Sequence, residues 1–150
     1  MKLNTKALAS IERGFPVFAE QVLFAQLSAE VKQKKNGDGQ NLEIDCRILN
    51  EEITKKDGTV HENANGKLSF KYFVSLQATD KYDPDTILAM IADAIGLDAD
   101  ADLNLEDING AYVKVKLGIR PANDRSNESN VIKQMYRIQE TDGFTPPAVN

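Results

Sequence analysis

The chain has 150 residues, a formal net charge of −5, 41% hydrophobic and 27% charged residues, and no tryptophan. This is the make-up of one globular domain able to bury a core, and a lone cysteine, Cys46, excludes a disulfide framework. No apolar run reaches the ~18 residues of a membrane helix, and residues 1–9 lack the apolar stretch of a secretion signal, so the expected setting is the cytoplasm, without a membrane partner.

Residues 1–19 read as an N-terminal arm, because Gly14 and Pro16 interrupt any helix begun at Thr5. Over 21–33, Leu23, Ala25, Leu27, Ala29 and Val31 alternate with Phe24, Gln26, Ser28, Glu30 and Lys32, the period of a strand. Asn36-Gly37-Asp38-Gly39 follows, a strong hairpin signal. A second strand is expected over 41–53, with Leu42, Ile44, Cys46 and Ile48 inward and Arg47 outward. The polar connection after it carries two turn signals, Asp57-Gly58 and Asn65-Gly66, with room for a small extra hairpin. A third strand, 67–78, places Leu68, Phe70, Tyr72, Val74 and Leu76 on one face and Lys71, Phe73 and Ser75 on the other.

One helix is predicted next. Asp83 suits the N-cap and Pro84 the first helical position, Ile87, Leu88, Ile91 and Ile95 recur at helical spacing, and Gly96 suits the stop. Residues 97–109 read as an acidic, irregular connection. In the fourth strand, 110–120, Ala111, Val113, Val115, Leu117 and Ile119 form one face, and Tyr112, Lys114, Lys116 and Arg120 the other. A polar loop and a fifth strand, 131–139, complete the pattern. The expected organisation is an arm (1–19), a domain (20–140) and a flexible C-terminal tail (141–150).

The order is β-β-β-α-β-β, which predicts a mainly β protein. The arrangement it fits is a five-stranded OB-fold barrel with one helix between strands three and four, binding through the face of strands two and three and the loops 1–2 and 4–5. An α+β roll and a β-sandwich with one helix are the alternatives.

Enzyme chemistry finds little support. His61 is the only histidine, in a Gly/Asn-rich loop, so a Cys/His zinc site has too few ligands. Nucleophile-elbow and phosphate-loop motifs are missing. Asp98, Asp100 and Asp102 imitate the start of an EF-hand loop, but Leu103 stands where glycine is needed and Asn109 where the bidentate glutamate is needed. The expectation is a non-enzyme with no cofactor and no metal.

Charge is unevenly spread. Residues 83–107 carry acids and no base, whereas 108–137 carry Lys114, Lys116, Arg120, Arg125, Lys133 and Arg137 against Asp124 and Glu128. Local pattern, not total charge, focuses the field on a ligand. Single-stranded nucleic acid needs cations to track phosphates and flat rings to stack bases. The candidate cations are Lys34 and Lys35 at the first hairpin, Arg47, Lys71, Lys114, Lys116, Arg120 and Lys133. The candidate rings are Phe73, between Lys71 and Ser75, and Tyr112, at the equivalent parity of its strand. Phe24 shares their parity, and Tyr136 is ambiguous because 131–138 do not alternate cleanly. The pattern points to sequence-independent single-stranded DNA binding, and the same chemistry accepts RNA. The alternative is a protein-interaction module that uses the acidic stretch 83–107. Edges of a partly open barrel can pair between subunits, but nothing in the sequence requires an oligomer.

From about Leu23 to Tyr136 the chain resembles small bacteriophage single-stranded DNA-binding proteins with an OB-fold, including phage proteins long catalogued as a domain of unknown function. The resemblance lies in a run of blocks: Lys34-Lys35-Asn36-Gly37-Asp38-Gly39, Leu42-Glu43-Ile44, Ile95-Gly96-Leu97, Asn109-Gly110 before an alternating strand, and Asn130-Val131-Ile132-Lys133 with Tyr136. It implies protection of replication or recombination intermediates, with phage or host replication proteins as partners. The chain differs from many such binders at its end: Glu140, Asp142 and Phe144 precede Pro146-Pro147 in a tail that is only weakly acidic.

Overall fold

β1 (Gln21–Gln33) sits at the centre of the sheet, with Leu23, Ala25 and Leu27 buried on its inner face. In the computed structural model it pairs antiparallel with β2 (Gln40–Ile48) on one flank and with β6 (Tyr112–Arg120) on the other. β5 (Ser69–Ser75) adds outside β2 and β7 (Ser129–Tyr136) outside β6, giving a five-stranded antiparallel sheet in the order β5-β2-β1-β6-β7. A separate hairpin, β3 (Glu52–Thr54) with β4 (Val60–Glu62), fills the connection between β2 and β5. The structure describes residues 16–35, 37, 39–63, 66–98, 102–124 and 126–147. Arg125, most of the arm, and Asn36, Asp38, Asn65 and Asp100 of the predicted turns and acidic run lie outside them.

Leu23, Ala25, Leu27, Leu42, Ile44, Cys46, Ile48, Val74, Val113, Val115, Leu117 and Met135 all point to one side of the curled sheet and form the core. Burial, with Asp45 adding to it, pushes the Cys46 thiol up to about 12, so it packs as a small apolar group. α1 (Pro84–Ala94) begins as its sequence predicts, with Asp83 accepting from the Asp85 amide at 2.9 Å and Pro84 at the first turn. It buries Ile91 and Ala94 against this core.

Three expectations need correction. The sheet is not closed into a barrel: among the described residues no strand pairing joins β5 to β7. Other groups stand in the gap. α1 lies against both edge strands and is clasped from just beyond the end of β7 by Arg137, whose guanidinium donates to the Asp93 and Leu97 carbonyls at 3.0 and 3.4 Å. Near their starts, Asn130 of β7 receives the Phe18 amide on Oδ1 and donates Nδ2 to the Phe18 carbonyl. The Phe18 ring meets Phe70 of β5 edge-on at 6.1 Å. The single-helix expectation also fails. Asn104 starts a second helix, α2 (Leu105–Ile108), which buries Ile108, and a 3-10 turn follows β7 at Glu140–Asp142. Finally, the second strand stops at Ile48 rather than running to 53. Asn63 draws the chain aside there, donating to the Ile48 and Asn50 carbonyls and accepting from the Leu68 amide.

Phe18, assigned to the arm from sequence, is 1% exposed and belongs to the core. His61, expected in a solvated loop, lies in β4 with its ring edge-on to Phe18 at 5.4 Å. Among the described residues no helix is long and apolar enough to cross a membrane.

Candidate nucleic-acid interface

Because side chains alternate along a strand, save at a bulge in β7, the residues that do not face the core share the outer face of the sheet. Strand register then fixes their neighbours. Phe73 stands opposite Glu43, Lys71 opposite Asp45 and Ser69 opposite Arg47. Glu43 in turn faces Glu30, and Arg47 faces Gln26. On the other side Gln26 faces Tyr112, Phe24 faces Lys114, and Val22 faces Lys116. Lys114 then faces Tyr136, and Lys116 faces Gln134.

This arrangement divides the sequence-predicted residues into two groups. The first lies on β5 and β2. Phe73 is 57% exposed, and Lys71 is exposed beside it. Their surroundings are mixed in sign, since Lys32 bridges Glu43 at 2.9 Å and Glu30 at 3.0 Å. Glu43 first, then Glu30, holds the Lys32 ammonium above its ordinary value. Lys34 is tied to the Ser75 hydroxyl at 2.7 Å, Lys35 is exposed in the β1–β2 turn, and Arg47 donates to Gln26 Oε1 at 2.7 Å.

The second group lies on β1, β6 and β7. Here Phe24, Tyr112 and Tyr136 surround Lys114, and Lys116 follows in the next register row. Two strands separate Tyr112 from β5, roughly 14 Å across the sheet at the usual strand spacing. Phe73 and Tyr112 therefore share a face without forming one pocket. Arg120 stays exposed at the end of β6. Lys133 is the extra residue of a bulge opposite Lys116 and Leu117. Its stem crosses Gly118, where any side chain would collide with it, and its ammonium lies 3.6 Å from Glu20. Arg137, counted among the basic residues, serves as the clasp on α1.

A segment that sequence reasoning left in the tail completes the second group. After the 3-10 turn, Gly143 adopts a left-handed conformation (φ 69°), which turns the chain back onto the sheet. Phe144 then stacks on Phe24 with ring centroids 4.8 Å apart and planes 25° apart, and meets Tyr112 at 5.6 Å. Asp142 ion-pairs with Lys114 at 3.0 Å, and both side chains are only about a fifth exposed (20% and 22%). The Gln139 backbone N–H, and after it Lys114, holds the Asp142 carboxyl below its ordinary value.

The sequence signal for Phe24 was present in its parity. Tyr136 was hidden by the bulge at Lys133, which reverses the alternation within β7. For Asp142 and Phe144 the only signal was an aromatic and a carboxylate in an otherwise Gly/Pro-rich end. The chain matches no protein-family model and no curated protein sequence, so the site rests on its own geometry.

Proposed function

We propose that this chain binds single-stranded nucleic acid, foremost single-stranded DNA, without sequence preference and without catalysis. The observation that carries this reading is the cluster on β1, β6 and β7, where three rings, Phe24, Tyr112 and Tyr136, adjoin Lys114 and Lys116 on one face. Rings stack any base and cations follow the backbone, which is what sequence-tolerant binding requires. Lys71 and Phe73 on β5, with Lys34, Lys35 and Arg47 at the β2 side, extend the track. Arg120 and Lys133 flank its other end.

The architecture supports the same reading. Set the β3–β4 hairpin aside, and five long strands remain, with α1 between the third and fourth and lying across the open seam. We read this order as that of an OB-fold barrel left open at one seam, a recurrent platform for single strands. Together with the resemblance of its turn and strand blocks, it points to phage replication or recombination in the host cytoplasm. Replication proteins would be the partners there.

The test is fluorescence-anisotropy titration with oligo-dT over a salt series. Binding should weaken as salt rises, with a log–log slope of about −0.7 per phosphate contacted. No binding at low salt, or affinity indifferent to salt, removes the reading. Competition with a matched RNA oligomer separates DNA from RNA preference. A protein-interaction module is the second reading, favoured by one observation: Asp85, Asp93, Asp98 and Asp102 rim a groove floored by Leu88, Ala92, Leu97 and Leu103 on the α1 side. It predicts a protein partner and no oligonucleotide binding.

A further inference from the structure

We propose that the groove along α1 docks a basic amphipathic segment of a partner protein, with apolar side chains on its floor and lysines or arginines on its rim. The proposal gives the groove's partner a definite chemistry. It rests on the groove alone and stands whether or not the outer face of the sheet binds nucleic acid.

Helical spacing gives α1 a second stripe besides the one it buries. Ile87, Ile91 and Ala94 pack on the core. Asp85, Leu88, Ala89, Ala92 and Asp93 recur at i, i+3, i+4, i+7 and i+8 on another side and line the groove. Leu97, Asp98, Asp102 and Leu103 form its opposite wall, and the space between is 710 Å³. Ala89 is exposed, and Leu88, Ala92, Leu97 and Leu103 are only half-buried, so an apolar strip remains in contact with water. An apolar strip rimmed by polar groups marks a surface built for contact with another protein.

The rim sets the charge of that protein. Among the described residues Asp93 is the one rim carboxylate with a cationic partner, Arg137 at 3.3 Å. Asp85, Asp98 and Asp102 have none, and the last turn of α1 holds no base to meet its carbonyls. Arg137 shows what such a cation gains, since its guanidinium donates to the Asp93 and Leu97 carbonyls and to the Asp93 carboxylate. A phosphate backbone would be repelled by the same rim. A metal ion would lack ligands, because no acids among the described residues converge closely enough to hold one. A basic amphipathic helix satisfies floor and rim together, with apolar anchors one turn apart and cations on its flanks. Because α1 packs on the core side of the sheet, a partner held here leaves Phe24, Tyr112 and Lys114 on the outer face free.

The test uses a fluorescein-labelled leucine–lysine peptide of about fourteen residues, roughly four helical turns, titrated with the full-length chain at physiological salt. Oligonucleotide is left out, so the result is separate from that of the oligo-dT series. Saturable binding is expected. A counterpart with serine for every leucine, equal in charge, should bind at least about tenfold more weakly, because the floor no longer covers apolar surface. Asp98→Asn combined with Asp102→Asn should weaken the leucine–lysine peptide roughly three- to tenfold. Glu51→Gln combined with Glu62→Gln, the same change of charge on the β3–β4 hairpin, should leave it unchanged. Ala92→Arg, which fills the groove with a cation, should abolish binding. The asparagine pair alters only exposed side chains and carries the test should Ala92→Arg fold poorly in a melting control. Absence of binding, equal binding of the two peptides, or equal losses from the two charge-neutralised pairs overturns the proposal. Self-association of the chain that Ala92→Arg abolishes would give the groove to a second copy and overturn it as well.

Discussion

Phe73 on β5 and Phe24 on β1 occupy the same outer face of one sheet, yet their surroundings are opposed. Phe73 is the more exposed ring, but its cross-strand neighbour is Glu43, and Glu30 and Asp45 stand close behind. Phe24 is half-buried, its cross-strand neighbour is Lys114, and the chain's own Phe144 lies on it. Exposure alone selects the first ring as the binding surface. Neighbour charge selects the second, since a strand of phosphates is repelled by paired carboxylates and drawn to an ammonium. On the proposed nucleic-acid reading, the covered half of the face is thus the better place for a ligand.

That contrast can be broken by mutation. The largest effect is expected at Phe24: in a Phe144→Ala background, where the tail no longer confuses the result, Phe24→Ala should lower oligo-dT affinity by about 1–3 kcal/mol, the worth of one stacked base. Phe73→Ala should cost less, about two- to fivefold in affinity, because its acidic neighbours hold the strand off. With a ring so exposed its melting temperature should stay near wild type. Equal losses at the two positions would erase the distinction between the halves. The smallest effect is one of pH. The Asp142 carboxyl is held below its ordinary value of 3.8 in the folded chain, so the stability it lends to tail docking is present above that value and is lost as pH falls through the depressed one. Hydrogen exchange at the Gln139 amide, which donates to Asp142, should therefore show the turn intact at pH 5 and loosened only in stronger acid. Loosening already at pH 5 would show that the ion pair does not hold the segment.

Much of the fold was legible because alternation and capping are local. β1, β5 and β6, the first turn of α1 and the two faces of the sheet follow from side-chain parity and from Asp83-Pro84. What escaped depends on contacts between distant residues. Asn63 and Asn130 use side-chain amides where a backbone partner is wanted, and nothing in the sequence distinguishes them from solvated asparagines. Phe18 looks like an arm residue until the gap it fills exists. The candidate site was half legible: parity placed Tyr112, Lys114 and Lys116 on one face, while the tail that covers them and the bulge that turns Tyr136 toward them could not be read locally.

An open sheet normally carries a hazard, because the bare N–H and C=O groups along its edges invite another chain to add a strand. In this molecule the two edges, β5 and β7, run parallel to each other and border the same seam, with α1 and its Arg137 clasp at one end and Phe18 at the other. The seam's two plugs shield both edges at once. Loss of either plug would bare those edges to strand addition, so Arg137 and Asn130, which hold the plugs by side-chain hydrogen bonds, keep the open sheet self-contained.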